Sequence, residues 1–329
     1  MDSRQFMREA RKACTADHAP SCQATCPLHV DVRDMTAQLR ADNFTHAADA
    51  FRKRVLFPRL VGHFCPAPCQ EQCLRREAGG AIAIRQLEKS LFRYGDPDPF
   101  QLPPYMQLSQ KVAIVGGGLS GLACALYLYE KGFQITIYEK TARLGGSGWQ
   151  LDEELAAADF AFLESLTWQV YYHTTIEQEI TISELCQNFD GIYLSGDHNF
   201  SAAFTVDTNT LQSQENPKIF LGGKILAESH RYSIIDALAA GRKAGISLDR
   251  FLKKVSLTAS RGQEGPYETA LCNDASDATV QAPVMPTLDN AYSREEAIAE
   301  ANRCLDCRCH ICVRQCKYLQ HFEGYPGRY

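Results

Sequence analysis

The sequence lacks the features of a membrane-spanning or exported chain. Among its 329 residues, the longest mostly apolar stretch runs from Leu119 to Tyr129, which is too short for the roughly 20 residues that cross a bilayer. The opening residues, MDSRQFMREARK, contain no apolar segment of the kind found in signal peptides. We therefore expect a cytoplasmic protein with no membrane span.

Neither the charge nor the composition is extreme. The 34 basic and 39 acidic residues give a net charge of −5, which provides no general attraction to nucleic acid. The 22 glycines and 14 prolines are too few for a low-complexity chain, and the hydrophobic fraction of 45% is ordinary for a globular protein. The length predicts roughly two domains.

Cysteine is the residue whose number departs from the average. The chain has 14 cysteines, with six between Cys14 and Cys73 and five between Cys304 and Cys316. This content is too low for a disulfide scaffold and high for a cytosolic enzyme. Clustered thiols in a chain without an export signal favour metal or iron-sulfur ligation over disulfides.

The pattern of apolar residues divides the chain into three segments and predicts an α/β protein. Residues 1–108 show helical spacing, and they end in the proline-rich stretch DPDPFQLPPY. Residues 109–258 begin with an apolar strand, a glycine turn, a helix and a second strand, the order of a Rossmann-like domain. Residues 259–329 read as a linker, a helix at SREEAIAEANRCL and a small cysteine-rich segment.

The glycine turn has the spacing of a dinucleotide-binding fingerprint. Gly116, Gly118 and Gly121 form G-x-G-x-x-G between strand and helix, and Glu139 follows 18 positions after the last glycine. In such a site Gly116 permits the tight turn, Gly118 lets the backbone approach a pyrophosphate and Gly121 lets the helix pack on the strand. Glu139 would accept a hydrogen bond from a ribose hydroxyl. A glycine-rich turn with no ligand is the alternative.

Two motifs that accompany a dinucleotide-binding turn in some oxidoreductases are missing. No cysteine pair follows Gly146, so the sequence offers no redox-active disulfide. No second glycine fingerprint exists, and only 22 residues, Asp197 to Lys218, separate the strands DGIYLSG and KIFLGG. Because one βαβ unit needs about 30 residues, we predict that a separate NAD(P)H-binding domain is absent.

The amino-terminal cysteines have iron-sulfur spacing. They form Cys22-x3-Cys26-Pro and Cys65-Pro-x2-Cys69-x3-Cys73. Cys-Pro is a recurrent context for iron-sulfur ligands. A structural zinc site is the alternative, although zinc favours two paired C-x2-4-C motifs.

Together with CPAPCQEQC, EKTARLGG, DGIYLSG and IFLGGK, this arrangement resembles the small subunit of glutamate synthase and the amino-terminal half of dihydropyrimidine dehydrogenase. The resemblance covers approximately residues 14–93 and 111–258. It implies a helical domain with two [4Fe-4S] clusters beside an FAD. One cluster would use Cys26, Cys65, Cys69 and Glu88. The other would use Cys14, Cys22, Cys73 and a position where the family has cysteine and this chain has Asp17.

The same resemblance extends the glycine turn to an FAD site. The predicted site comprises Gly116, Gly117, Gly118, Leu119, Ser120, Gly121, Glu139, Lys140, Gly145, Gly146, Ser195, Gly196, Gly223, Lys224 and Ile234. Lys224 is a departure, because the family usually has an aspartate there that binds the ribityl chain. Either Lys224 reaches the pyrophosphate instead or the flavin site is altered.

The carboxy-terminal cysteines offer a further cluster. Their spacing is C-x2-C-x-C-x2-C-x3-C, and its C-x2-C-x3-C part matches half of a bacterial ferredoxin run. We predict a [4Fe-4S] cluster on Cys309, Cys312 and Cys316 with either Cys304 or Cys307. A zinc knuckle is the alternative.

These motifs predict an electron-transfer subunit of a multisubunit oxidoreductase, carrying FAD and two or three [4Fe-4S] clusters. No substrate-directed acid, base or nucleophile is evident. The expected partners are other subunits of a redox complex, including one that oxidises NAD(P)H, ferredoxin or a substrate. The alternatives are a stand-alone NAD(P)H-dependent reductase and a zinc-stabilised scaffold without catalytic activity.

Overall fold

The chain folds into two compact units, each assembled from separate stretches of sequence. The computed structural model describes residues 15, 17–95, 106–195, 203–223, 232–273, 275–276, 278–288, 291–309, 314 and 317–322. The first unit comprises Met1–Ala50, Ala67–Asp96 and Pro266–Tyr329, and the second comprises Phe51–Pro66 and Pro97–Gly265. The carboxy-terminal segment thus belongs to the same unit as most of the amino-terminal helices. The domain boundaries after residues 108 and 258 stay sequence predictions.

The described elements follow one another as helices, then alternating strands and helices, then helices again. The helices before the sheet are α1 (Ser21–Thr25), α2 (Val32–Arg40), α3 (Phe44–Arg52), α4 (Pro58–Phe64), α5 (Pro68–Glu71) and α6 (Ile84–Tyr94), with a 3-10 helix at Leu74–Ala78. The strands are β1 (Lys111–Val115), β2 (Gln134–Tyr138), β3 (Gln169–Tyr171), β4 (Gly191–Ser195) and β5 (Ile219–Gly222). The remaining helices are α7 (Leu119–Glu130), α8 (Gly148–Leu151), α9 (Glu153–Phe160), α10 (Ile182–Asn188), α11 (Ile234–Leu252), α12 (Arg294–Asn302) and α13 (Lys317–Phe322), with a 3-10 helix at Ala161–Ser165.

The second unit is built on a parallel sheet with strand order β3-β2-β1-β4-β5. Strands β1, β4 and β5 are short, largely apolar and almost wholly buried, as expected where both faces of a parallel sheet are covered. The edge strand β3 is mostly exposed. Val112 of β1 pairs with Ile135 of β2 on one side and with Gly191 of β4 on the other. The strand order reverses between β1 and β4, and ligands of such sheets bind beyond the carboxyl ends of the strands at this point. The α/β prediction is confirmed.

Two helices of the second unit pack closely together beside the sheet. The sequence of α7, LSGLACALYLYE, is apolar on nearly every side, and most of its residues are buried. Helix α11 approaches α7 at Gly241, where an added Cβ would overlap the carbonyl oxygen of Ser120. This close approach positions the beginning of α7 relative to the sheet. Another core cluster contains Ala113, Val115, Tyr138, Ile176, Leu185, Ile192, Leu194, Ile219 and Leu221.

A buried carboxylate completes the amino terminus of α4 in the second unit. Asp159 accepts hydrogen bonds from the backbone N–H groups of Arg59 at 3.2 Å and Leu60 at 2.8 Å. These donors have no partner within the first turn of a helix, so the carboxylate acts as a cap supplied from a distant part of the chain. Burial raises the pKa of Asp159 to about 6, while the two amides and Arg59 oppose the shift.

The first unit is held together around α12, which packs against α2 and α6. Ser293 and Glu296 form a capping box at the beginning of α12, as the sequence predicts. Residues before α12 lie along the amino-terminal helices. The backbone N–H of Tyr267 donates to the carbonyl of Ala24 at 3.0 Å, and the side chain of Thr269 donates to the carbonyl of Ala19 at 2.5 Å.

A buried ion pair joins the end of α12 to two neighbouring loops of the first unit. Glu300, which is fully buried, accepts from the backbone N–H groups of Ala83 and Val284 at 2.8 and 2.9 Å and from Arg303 at 2.7 Å. Arg303 donates to the carbonyl oxygens of Gly80 and Gln281 at 2.8 and 2.9 Å. Both side chains therefore bond to the same two loops.

None of the helices in the described ranges is long and apolar enough to cross a bilayer.

The contacts of Glu300 predict a large contribution to the stability of the first unit. We expect Glu300→Gln to lower the free energy of unfolding by about 3–5 kcal/mol, because the charge of buried Arg303 loses its partner. Urea unfolding of the full chain measures the change.

Glu295→Gln is the matched control, because Glu295 is exposed in the first turn of the same helix. Its loss of charge at the helix N-terminus should lower the free energy of unfolding by at most about 1 kcal/mol. Equal unfolding midpoints for the two variants would contradict the assignment.

Candidate cofactor sites

The turn between β1 and α7 has the backbone conformation that its glycines predict. Gly116 has a φ of 91°, in the region that favours glycine over other residues. Its N–H donates to the carbonyl of Tyr138 at 2.8 Å, which fixes the turn to the end of β2. At Gly121 an added Cβ would overlap the carbonyl oxygen of Gly116, so the helix can approach the turn this closely only with glycine.

Gly118 leaves open space at the beginning of α7. It is the N-cap of the helix, and among the described residues no heavy atom lies within 4 Å of the position that its Cβ would occupy. The unpaired N–H groups and the dipole at a helix N-terminus favour an anion. Helix terminus and free space together form a cradle that fits a pyrophosphate.

Glu139 is buried beside this cradle, with 5% of its surface exposed. One carboxylate oxygen accepts from the N–H of Gly117 at 2.7 Å, and the other accepts from the N–H and hydroxyl of Thr141, both at 2.8 Å. A carboxylate has about four lone-pair positions, so these three bonds leave capacity for a ribose hydroxyl. The same negative charge would repel a phosphate on the ribose.

The EKTARLGG segment returns to the glycine turn. The N–H of Gly145 donates to the carbonyl of Gly117 at 2.8 Å, and Gly145 also forms a parallel bridge with Gly118. Gly145 and Gly146 have φ angles of 108° and 49°. The structure therefore brings the second predicted glycine pair directly against the first.

The carboxyl ends of β4 and β5 reach the same region. Ser120 shares a 2.7 Å hydrogen bond with the hydroxyl of buried Tyr193. Gly223 has a φ of 74°, and its added Cβ would lie 3.4 Å from both the Cβ of Ser120 and the hydroxyl oxygen of Ser195. The sequence does not predict this role of Tyr193, because a tyrosine in an apolar strand has no distinguishing pattern.

The other predicted flavin residues are placed as follows. Leu119 is the buried first residue of α7, Ile234 is the buried first residue of α11, and Lys140 is exposed after Glu139. A capping box of Ser233 and Asp236 begins α11. Gly196 and Lys224 lie outside the described residues.

In the first unit, the surroundings of Cys26 fit a thiolate ligand. Cys26 is buried at the end of α1, and burial raises its pKa. Backbone N–H groups of Val30, Leu28 and His29 oppose this increase by hydrogen bonding to the sulfur. Such hydrogen bonds are one of the means by which proteins tune iron-sulfur clusters.

Glu88 of α6 lies close enough to Cys26 for its charge to raise the thiol pKa further. Burial in turn raises the pKa of Glu88 to about 8, against the opposing charge of Arg85. A buried carboxyl group of this kind is costly unless it is protonated or paired. Cys69, on α5 of the same unit, is also buried, and Cys65 is a buried residue of the second unit at the end of α4.

A second group of thiols lines one cavity of the first unit, here called the thiol cavity. It combines Cys22 and Cys73 from the amino-terminal region with Cys304 and Cys307 from the carboxy-terminal region. The sequence predicts these two pairs in different clusters. Cys73 and Cys304 are 231 positions apart, and no local pattern connects them.

The four thiols are near enough to influence one another's ionisation. Burial raises the pKa of Cys22, and the charges of Cys304, Cys73 and Cys307 raise it further. Burial and the charges of Cys304 and Cys73 raise the pKa of Cys307 to about 11, against Arg33. A positive charge between these thiols would favour their ionisation. Across the described part of the chain, no three His, Cys, Asp or Glu side chains converge closely enough to hold a single metal ion.

The remaining predicted ligands lie elsewhere or are not described. Asp17 is exposed and Cys309 is half-buried, and neither is among the described residues that line the thiol cavity. Cys14, Cys312 and Cys316 lie outside the described residues. The predicted ligand sets that include them stay predictions.

Comparison with known families finds two matching regions. Residues 1–96 match the model of dihydropyrimidine dehydrogenase domain II, 4Fe-4S cluster. Residues 114–155 match an NAD(P)-binding Rossmann-like domain. The first contains the amino-terminal cysteines, and the second contains the glycine turn and Glu139.

Among curated proteins, the chain is similar to the NADPH-Fe(3+) oxidoreductase subunit beta of Geobacter sulfurreducens, with 31% identity over 53% of this chain and 27% of that protein. It is similar to the glutamate synthase [NADPH] small chain of Bacillus subtilis, with 27% identity over 58% of this chain and 43% of the relative. It is also similar to the putative oxidoreductase AegA of Escherichia coli, with 25% identity over 58% of this chain and 30% of AegA. The chain thus covers less than half of each relative's length. The resemblance to the glutamate synthase small subunit is confirmed.

The open space at Gly118 allows the cradle to be tested separately from the fold. We expect Gly118→Ala to retain the fold, with a stability loss of at most about 1 kcal/mol from the poorer N-cap. The added methyl group would occupy the space for the pyrophosphate, so the dissociation constant of the dinucleotide should rise at least about tenfold, the effect of about 1.4 kcal/mol. The fraction of chains that retain a bound dinucleotide should fall accordingly. Nucleotide released by acid, relative to protein, gives that fraction.

Gly262→Ala is the matched control, because Gly262 also has open space around it and lies in the same unit. It should keep its nucleotide. Full nucleotide content in Gly118→Ala would show that the cradle does not bind the pyrophosphate.

Proposed function

We propose that this chain is the FAD- and [4Fe-4S]-containing electron-transfer subunit of a larger oxidoreductase. The observation that carries the proposal is that one chain combines a glycine cradle with a ribose-directed carboxylate and a helical unit with buried cysteines that matches a 4Fe-4S domain. Such cofactors perform the redox chemistry, and the protein supplies their binding, spacing and potential.

The residues of the second unit support FAD as the dinucleotide. Gly118 faces open space for a pyrophosphate, and Glu139 retains capacity for a ribose hydroxyl. Ser195 and Gly223 lie beside Ser120 at the same edge of the sheet. In the family that the sequence resembles, the positions corresponding to Ser195 and Gly223 line the flavin. Bound FAD would supply an acceptor that exchanges electrons in pairs or singly.

The residues of the first unit support iron-sulfur chemistry. Cys26 is buried with three backbone N–H groups directed at its sulfur, and Glu88 is buried nearby. The resemblance assigns these two residues to one cluster with Cys65 and Cys69. A bound [4Fe-4S] cluster would supply single-electron transfer. The many free cysteines favour a reducing compartment, so we place the protein in the cytoplasm.

The sequence also supports the proposal that this chain needs partner subunits for its full activity. Only 22 residues separate the strands between which a nicotinamide-binding domain would be inserted. The names of two relatives contain NADPH. In this chain the charge of Glu139 disfavours the ribose phosphate of NADPH in the cradle, so we propose that another subunit binds the nicotinamide or delivers electrons from a different donor.

A nicotinamide cofactor in the cradle is the second candidate. The description of the matched Rossmann-like domain as NAD(P)-binding favours it. The carboxylate of Glu139 would then select NAD over NADP, because a 2′-phosphate would lie against a negative charge. This candidate predicts a stand-alone reductase without flavin.

Anaerobic purification of the full chain decides between the candidates. We expect stoichiometric FAD with iron and acid-labile sulfide, a flavin spectrum that dithionite bleaches, and little oxidation of NADPH or NADH without partners. Protein without flavin that oxidises NADH rapidly would establish the second candidate instead. Zinc without sulfide would contradict electron transfer by clusters.

A cysteine variant tests whether the two kinds of cofactor occupy separate sites. We expect Cys69→Ala to lose the iron and sulfide of one cluster while retaining FAD. Cys69 belongs to the first unit, whereas the residues of the glycine cradle belong to the second. Cys272→Ala is the control, because Cys272 is exposed in the same unit. Iron, sulfide and flavin content are measured for both variants. Unchanged iron in Cys69→Ala would remove Cys69 from the proposed ligands.

A further inference from the structure

We propose that Cys22, Cys73, Cys304 and Cys307 bind one [4Fe-4S] cluster in the thiol cavity, with two ligands from each end of the chain. The inference deepens the proposed function, since it rests on the iron-sulfur chemistry proposed above and assigns the ligands of one cluster. It differs from the sequence-based sets, in which these four cysteines belong to two clusters.

The ligands come from separate elements of the first unit. Cys22 lies on α1, Cys73 precedes the 3-10 helix at Leu74–Ala78, and Cys304 and Cys307 follow α12. All four are half-buried and line the same cavity. A cubane cluster brings its own sulfide ions, so its four cysteine ligands surround a volume instead of converging on a point. Four thiols around a cavity match that requirement.

The backbone after α12 directs both carboxy-terminal thiols to one side. Between them, Asp306 has a φ of 49°, a left-handed conformation that aspartate tolerates better than most residues. The chain therefore turns within the short CLDC sequence, and Cys304 and Cys307 both reach the cavity. Arg303, whose ion pair with Glu300 is buried, immediately precedes Cys304. The anchored end of α12 thus positions the ligand pair.

Charge and polarity in the cavity favour an anionic cluster. Arg33 and Arg75 line the cavity together with apolar residues such as Val32, Ile82 and Ile84. Arg33 also donates to the carbonyl of Cys307 at 3.2 Å. A cluster bound by four thiolates is anionic, and two guanidinium groups beside it offset that charge.

Arg75 adds an unsatisfied buried donor to the lining of the cavity. Only 3% of its surface is exposed, and its Nε has no hydrogen-bond partner among the described residues. Its Nη2 donates to the side chain of Gln281 at 2.9 Å, which holds the guanidinium in place. An unpaired buried donor is costly. An anionic cluster with sulfur acceptors would offset that cost.

The four proposed cysteine ligands also explain how this chain can lack the cysteine that the family has at position 17. The family pattern has a fourth amino-terminal cysteine there, whereas this chain has an exposed Asp17. Cys304 and Cys307 supply two thiols to the cavity that Cys22 and Cys73 line. The cluster then has four cysteine ligands and needs no carboxylate.

A double-variant experiment on the full chain separates one shared cluster from two. Cys22→Ala, Cys304→Ala and the combined variant are purified anaerobically, and iron, sulfide and FAD are measured per chain. One shared cluster predicts that each single variant loses one cluster's iron and sulfide, and that the combined variant loses no more. A combined loss equal to the sum of two clusters would overturn the proposal. Cys272→Ala should lose nothing.

Alkylation of the unaltered protein tests the same assignment without relying on the folding of variants. Iodoacetamide is applied before and after chelation of iron, and labelled cysteines are identified by mass spectrometry. We expect Cys22, Cys73, Cys304 and Cys307 to be protected in the loaded protein and to become reactive together. Labelling of Cys304 or Cys307 in the loaded protein as fast as exposed Cys272 would overturn the assignment.

The outcomes distinguish this inference from the proposed function. Protein with FAD, iron and sulfide but with additive losses in the combined variant retains the function and rejects the shared site. Protein with neither flavin nor sulfide rejects both. Zinc bound to these four thiols, with no sulfide, rejects the cluster.

Discussion

The buried pair of Glu300 and Arg303 is the interaction on which the first unit depends. It satisfies backbone groups in two loops, at Ala83 and Val284 through the carboxylate and at Gly80 and Gln281 through the guanidinium. Further hydrogen bonds to the carboxylate and the guanidinium help to offset the cost of burying an ion pair. Here the hydrogen bonds come from the loops at residues 80–83 and 281–284, so the pair holds both loops at the end of α12. Cys304, which lines the thiol cavity, directly follows Arg303 in the sequence.

The second unit achieves its geometry by a different means. Its parallel strands and the close contact of α7 with α11 follow from apolar sequence and from glycine at the positions of closest approach. The resulting edge of the sheet gathers Gly118, Glu139 and Ser195 within one region. Each belongs to the end of a different strand or the turn after it, which is the arrangement expected at the point where the strand order reverses.

Local features could be predicted from the sequence, and features that depend on distant contacts could not. The glycine turn, the role of Gly121 and the position of Glu139 depend on residues within one βαβ unit, so spacing alone indicates them. The assignment of Glu88 and Cys26 to one site depends on the family resemblance and not on their spacing. In contrast, the hydrogen bond between Ser120 and Tyr193, the cap supplied by Asp159 and the meeting of Cys73 with Cys304 join residues far apart along the chain. Nothing in their local sequence identifies the partner.

The discontinuity of the first unit has a consequence for how the protein is made. Its pieces occupy both ends of the chain, while most of the second unit is continuous from Pro97 to Gly265. During translation the second unit emerges complete and can fold as domains generally do, before α12 exists. The first unit can be completed only after Glu300 and Arg303 have been synthesised. Until then, Cys22 and Cys73 lack the segment that carries Cys304 and Cys307, the other two cysteines that line the thiol cavity.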